Sequence, residues 1–390
     1  MNLILFDDPA LRLSLLPFTF TRPVAGIRVG ILTISEKWEK WLQVSPSYKT
    51  EPYLQGKFPL VHKEDNLLVN GAVCPDQRLV DTIKALPAGY YLVHDQLLVA
   101  ARRPDGEMRE SNIVQHEHAI TVIDKPWRIF RENAGQIRID FEILTRGRKS
   151  ATITDPYTRT YNESNIFLEE GVDLKAAVLN AESGPIYLGK NSAVQEGAVV
   201  RGAFALGEGS MLNMGAKVRG DTTIGPFCKV GGEISNSVIF GYSNKAHDGF
   251  MGNSVMGEWC NLGADTNTSN MKNTYDVVKV WNHGLRKYEK TDLQFCGLLM
   301  GDHGKSGINT MFNTGTVVDV CSTVYGHGYP RTYVPSFSWG GASGFEVHDL
   351  DKALATAERV MSRRNIPMTS DDREILKHIY ETTASSRRWA

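Results

Sequence analysis

A chain of 390 residues, 42% apolar and 22% charged, has room for two or three domains with buried cores and shows no compositional sign of disorder. Its net charge of −1 argues against a nucleic-acid binder, which carries a basic footprint, yet leaves room for a local basic pocket. The opening MNLILFDD lacks the basic segment of a signal peptide, and no apolar run approaches the roughly 20 residues of a membrane helix. Cys74, Cys228, Cys260, Cys296 and Cys321 are scattered without CxxC pairing, so neither a disulfide framework, a zinc site nor any other metal centre is expected, and the expected compartment is the cytoplasm.

Residues 1–165 read as an α/β unit. Asn2 to Phe6 and Leu92 to Ala100 have the character of short buried strands. Ile31 to Leu42 and Leu79 to Leu86 carry apolar residues at helical spacing. Gln136 to Ile143 is ambiguous. The polar stretch Arg146 to Asn165 suits a linker or an exposed strand.

The next region carries the strongest pattern in the chain. Leu188, Val194, Val200, Leu206, Leu212, Val218, Ile224 and Val230 recur at every sixth position, and the residue four places after each is mostly small. A period of six fits neither a helix of about 3.6 residues per turn nor one long strand. It predicts a chain that turns a corner every six residues, with one aliphatic side chain per face pointing inward, stacked coil upon coil. The frame slips around Met251, Met256 and Leu262. It then returns at Met300, Ser306, Phe312, Val318 and Val324, with Ser306 as its polar exception. The charged stretch 273–292 reads as a loop projecting from one coil. A β-helix is therefore expected over 166–340. Two amphipathic helices, about 350–364 and 370–383, follow in 341–390 and are expected to cap its open end.

Lys245 to Met271 reads KAHDGFMGNSVMGEWCNLGADTNTSNM. This resembles the acetyltransferase half of the GlmU-like family of bifunctional N-acetylglucosamine-1-phosphate uridyltransferases and glucosamine-1-phosphate acetyltransferases. That family carries a His-x-x-aromatic-aliphatic-Gly segment and then Asn-aliphatic-Gly-Ala-Gly-Thr. His247, Phe250, Gly252, Asn261, Gly263, Ala264, Thr266 and Asn270 fall on the pattern. The resemblance implies a left-handed parallel β-helix, a homotrimer with sites between subunits, and acetyl-CoA as acyl donor. It makes His247 the general base on a sugar amine, a task suited to a group titrating near neutrality. Amides near Gly263 and Ala264 would stabilise the tetrahedral intermediate. Asn261 and Phe250 would contact the sugar and Asn270 the acyl group or pantetheine arm. His303, a second imidazole, is expected to line the same cleft, with turn stabilisation as the competing reading.

The chain also departs from that family. The arginine expected after Phe227 is absent, leaving Lys229 and Lys245 as point charges for a sugar phosphate without the forked geometry of arginine. Met271 replaces a tyrosine. In the N-terminal unit Arg12, Arg22 and Asp76 are the candidate nucleotide-binding residues. However, the phosphate-loop glycines are missing, Val24 stands where the family has lysine, and Ala72 where it has a metal-binding aspartate. Magnesium there would depend on Asp7, Asp8 or Asp76 compensating. The leading expectation is CoA-dependent N-acetylation of an amino sugar phosphate, coupled to a reduced sugar nucleotidyltransferase domain, in nucleotide-sugar synthesis. The alternatives are nucleotidyl transfer alone, or a non-enzymatic β-helix platform that senses sugar nucleotides.

Overall fold

In the computed structural model, which describes residues 1–103 and 108–387, an N-terminal α/β domain packs on a long parallel β-solenoid and two C-terminal helices flank both. No helix among the described residues is long and apolar enough to cross a membrane.

The N-terminal sheet has the strand order 47–49, 2–6, 66–70, 97–102, 91–94, 113–115. Its helices are α1 (Pro9–Ser14), α2 (Ile34–Leu42), α3 (Gln77–Ala85) and α4 (Arg128–Thr145). The starts of α2 and α3 are fixed by their caps. Thr33 and Glu36 form a reciprocal capping box, and Asp76 accepts from the Leu79 amide at 2.9 Å. The single strand expected over 92–100 is two antiparallel strands, because Asp95 turns the chain with φ 53°. The ambiguous segment 136–143 lies inside α4. Part of the expected linker, Arg159–Tyr161, is already the first strand of one solenoid sheet.

The six-residue period maps directly onto the solenoid. Leu188, Leu206 and Ile224 are successive rungs of a nine-stranded sheet. Val194, Leu212 and Val230 are rungs of a ten-stranded sheet, and Val200, Val218 and Ile234 of an eight-stranded one. These inward residues form one fully buried core. Where the period slips, the ladder continues: Ile224 pairs with Ile239, then Met256, Met300, Val318 and Val334. Shortened and lengthened corners absorb the slips. At one corner of each of these coils the backbone adopts φ between 52° and 62°, at Asn191, Gly209, Phe227, Tyr242, Trp259, His303, Cys321 and Phe337. The side chains at four of these positions stack, Tyr242 on Trp259 at 4.2 Å and Phe227 on Tyr242 at 5.3 Å, with His303 continuing the pile.

Each sheet meets a different environment. The outward side chains of the nine-stranded sheet, Val238, Phe240, Val255, Leu299 and Val317, share one core with Leu3, Phe18, Trp38 and Phe130 of the N-terminal domain. The stretch 273–292 is not a free projection. It forms a hairpin (Lys279–Asn282 with Lys287–Lys290) whose Val280 enters that same core, while Lys125 reaches Glu289 at 2.6 Å. Nor do the C-terminal helices cover the open end. α5 (Leu350–Ser362) and α6 (Ser370–Thr382) run along the flank. Their Ala353, Ala357, Ile375 and Ile379 bury Leu54 from the N-terminal domain and Val320 and Phe337 from solenoid corners. The last rung, Ser338–Gly341, is instead paired by the antiparallel strand Gly344–Val347.

Candidate functional site

The register explains why the coil at 244–252 differs from its neighbours. Val230 pairs with Lys245, so a lysine occupies the place in the ten-stranded sheet where most coils put an aliphatic side chain. Its side chain is buried, and its ammonium donates to the carbonyls of His247 at 2.5 Å and Asp248 at 3.0 Å. Burial lowers its pKa to about 8. Lys245 is therefore not the exposed charge expected from sequence; it holds the backbone of the next corner. That corner is reinforced by Asn213, which donates to the Ala246 carbonyl at 2.7 Å, and by Gly249, whose φ of 112° and proximity to the Thr266 carbonyl exclude a side chain. The imidazole of His247 stands exposed on this corner, between the ten- and eight-stranded sheets, without a side-chain partner among the described residues.

Beside the corner lies a cleft of about 550 Å³ between the ten-stranded sheet and α5. Its floor is a row of outward side chains on consecutive rungs, Lys229, Asn244, Asn261 and Lys305. Across it stand Arg363 and Arg364, and Ala246, next to His247, closes one side. Arg364 donates to Asn244 at 3.0 Å, and Asn244 to Asn261 at 3.4 Å. No carboxylate lines the cleft among the described residues. The structure thus brings the expected Lys229 and Asn261 together near His247. Asn244, Lys305 and the two arginines were missed by sequence reasoning. A polar residue at the apolar repeat position, as at Lys245 and Ser306, was the available signal that these coils differ.

The remaining expected residues distribute elsewhere. Phe250 and Asn270 meet on the eight-stranded sheet, where a side chain on Gly252 would strike both, and Asn270 donates to Asn253 at 2.8 Å. The Gly263 amide is engaged by the Ser306 carbonyl at 3.1 Å, whereas the Ala264 amide has no partner among the described residues. Of the two amides expected for an oxyanion, only that of Ala264 is available. His303 does not share the cleft. It sits buried at the opposite corner, under α6 and the N-terminal domain, and burial pushes its pKa well below the usual imidazole value.

In the N-terminal domain the nucleotide-binding candidates are tied up internally. Arg12 is buried and bonds Asp7 at 2.9 Å, Tyr53 at 2.9 Å and the Arg22 carbonyl at 3.1 Å. Arg22 turns into the solenoid, bonding Asp302, and Glu258 at 3.1 Å. Asp7 bonds Arg12 and Thr50 while Asp8 and Asp76 cap α1 and α3, and no group of three or more His, Cys, Asp or Glu among the described residues could hold a metal ion.

Residues 3–149 match the sugar nucleotidyl transferase family. The bifunctional protein GlmU of Methanocaldococcus jannaschii is 31% identical over 86 residues, 22% of this chain and 20% of that protein. The GlmU of Methanococcus aeolicus is 27% identical over 120 residues, 31% of this chain and 25% of that protein. The chain thus spans a fifth to a quarter of the length of these curated relatives. Among solved structures, the polySia specific acetyltransferase NeuO aligns with 55% of this chain and 97% of its own, at 14% identity and a TM-score of 0.29. An Arabidopsis UDP-N-acetylglucosamine acyltransferase aligns with 60% and 93%, at 16% identity and a TM-score of 0.25.

Proposed function

We propose, for a chain whose features fit a divergent GlmU-like protein, that the solenoid transfers an acyl group, acetyl in the first instance, from coenzyme A to the amine of an amino sugar. The amine nitrogen attacks the thioester carbonyl. His247 takes the amine proton as the C–N bond forms, the C–S bond breaks, and the proton passes to the departing thiolate. The Ala264 amide is the candidate donor to the developing oxyanion. Asn270 is assigned to the acyl donor side, and Phe250, which meets it at Gly252, and Asn261 to the sugar. The observation that carries this reading is the Lys245–His247 corner. A lysine buried in an aliphatic stack costs stability, and here it fixes the backbone beneath an exposed, unpartnered histidine.

The reading includes a cytoplasmic homotrimer serving nucleotide-sugar and cell-envelope precursor synthesis. What supports association into a trimer is the distribution of covered faces. The N-terminal domain covers the nine-stranded sheet and α5 flanks the ten-stranded one, while the eight-stranded sheet keeps Val199, Phe250 and Met311 partly or largely exposed beside the His247 corner.

Purified protein given acetyl-CoA and glucosamine-1-phosphate is expected to release free thiol, and His247→Ala to lose about 10²-fold or more in turnover. An inactive wild type across a panel of amino sugars refutes the reading. The match of residues 3–149 favours nucleotidyl transfer as a second activity. The engagement of Arg12 and Arg22 weighs against it, and magnesium-dependent pyrophosphate release from an NTP and a sugar-1-phosphate tests it. Ligand-induced thermal stabilisation without either turnover would favour a sugar-nucleotide-sensing platform.

A further inference from the structure

Four cations face one another across the cleft beside His247. Lys229 is exposed, Lys305 half-buried with its ammonium donating to the His303 carbonyl at 3.1 Å, Arg363 exposed and Arg364 half-buried. Arg363 has no side-chain partner among the described residues, and Arg364 uses one nitrogen on Asn244. The end of α5 suits cations, because its last carbonyls carry partial negative charge. That accounts for two arginines at the C-cap of the helix and the position after it. It does not account for two lysines on the opposite wall with no carboxylate between them, an arrangement whose mutual repulsion calls for a counter-anion. Burial already lowers the pKa of Lys305, so an anion there would strengthen its charged form. The forked guanidinium groups match tetrahedral oxyanions in a way that lysines do not.

We propose that this cleft binds its ligand through a phosphoryl group. Arg363 and Arg364 are the specific contacts, supplied by the C-terminal helix in place of the arginine missing after Phe227, and Lys229 and Lys305 are the flanking charges. The proposal rests on the acyl-transfer reading only for its position, with Ala246 placing the anchored ligand next to His247. Either substrate of that reaction can bring a phosphoryl group: the sugar as a 1-phosphate, or coenzyme A through its 3′-phosphate.

Calorimetric titration at low salt separates the sources, with glucosamine-1-phosphate against glucosamine, and coenzyme A against 3′-dephospho-coenzyme A. Wild type is expected to bind the phosphorylated member of at least one pair tenfold or more tightly. The double variant Arg363→Ala/Arg364→Ala is expected to lose that affinity roughly ten- to a hundredfold, the worth of charge-assisted bonds. Lys229→Ala should lose several-fold. Because Arg363 is exposed and the lysine variant lies on the other wall, an unchanged melting temperature in each confirms folding. Equal binding within both pairs, or full affinity in the double variant, overturns the proposal. If acetyl transfer proceeds with the double variant's KM unchanged, this proposal fails and the acyl-transfer reading stands. If no acetyl transfer occurs yet phosphoryl-dependent binding disappears in the double variant, the reverse holds.

Discussion

Replacing Arg22 by methionine asks whether the N-terminal domain and the solenoid are one folding unit. The Arg22 guanidinium is buried, lies 5.1 Å over the Phe240 ring, and bonds both Asp302 and, at 3.1 Å, Glu258. Removing one partner of a buried pair strands the other, at about 3–5 kcal/mol. Asp302 keeps the Thr21 hydroxyl at 2.7 Å and the Glu258 amide at 2.9 Å, which places the expected loss near the lower end, about 3 kcal/mol or a factor of ~150. The loss should depend on pH. Burial, the largest influence, holds the Asp302 pKa above the usual carboxylate value even beside Arg22. A carboxyl whose folded pKa is raised adds stability at low pH that disappears as pH rises through that folded value. Without Arg22 the folded value climbs further, so the deficit of the variant should be small near pH 4 and largest near pH 8. Urea unfolding followed by tryptophan fluorescence at both pH values measures this, and a single transition is expected because one core holds residues of both domains. Adding an NTP with magnesium should leave the wild-type midpoint unchanged, since Arg22 is engaged elsewhere. A loss below about 1 kcal/mol at pH 8, or one that shrinks with rising pH, refutes the reasoning.

Two further substitutions probe the His247 corner. Lys245→Met should fold, because it returns an apolar side chain to an apolar position, but should lower acyl-transfer turnover about tenfold or more by loosening the carbonyls of 247 and 248. With Lys245 lowered to about 8 in the folded state, the unfolded chain binds more protons above that pH. Wild-type stability should therefore rise from about pH 8 toward the ordinary lysine value, and Lys245→Met should lack that rise; identical urea profiles would exclude it. Gly249→Ala meets both a φ of 112° and a Thr266 carbonyl 2.3 Å from the added carbon, and should cost about 2 kcal/mol or more. Gly215→Ala, at the same corner of an earlier coil with φ 69° and open space, should cost about 1 kcal/mol; equal melting-temperature losses would count against the strain argument.

The solenoid was legible because its signal is local. One inward side chain per face at every sixth residue appears in the string of letters, and the rungs Leu188, Leu206 and Ile224 follow from counting. What covers the solenoid is decided by outward residues, and their signal was weaker but present. Val238-Ile239-Phe240 and Leu298-Leu299-Met300 are apolar on both faces rather than alternating, as strands are when both sides are buried. The hairpin at 279–290 and the flanking course of α5 depend on contacts between residues far apart in the chain, such as Leu54 with Ile375, and no period encodes those. His303 illustrates the limit. Its letter suggested chemistry, but its place is the αL corner of a stacked ring pile, and only the register shows that the position belongs to the same series as Phe227 and Trp259.

Lys245 reverses that relation. Sequence resemblance offered it as a surface charge, yet its pairing with Val230 places it inside the prism. A coil under selection for stability alone would keep valine or leucine there, since a buried ammonium must recover its lost hydration from whatever acceptors lie within reach. The acceptors it finds are the carbonyls of His247 and Asp248, which belong to the corner and not to a sheet ladder. The local departure from the repeat is therefore explained by what it does to the backbone under His247, and the same coil carries Asn244 into the cationic cleft. Two departures on adjacent residues, one facing inward to the corner and one outward to the cleft, are what supports assigning the proposed acyl transfer to this coil.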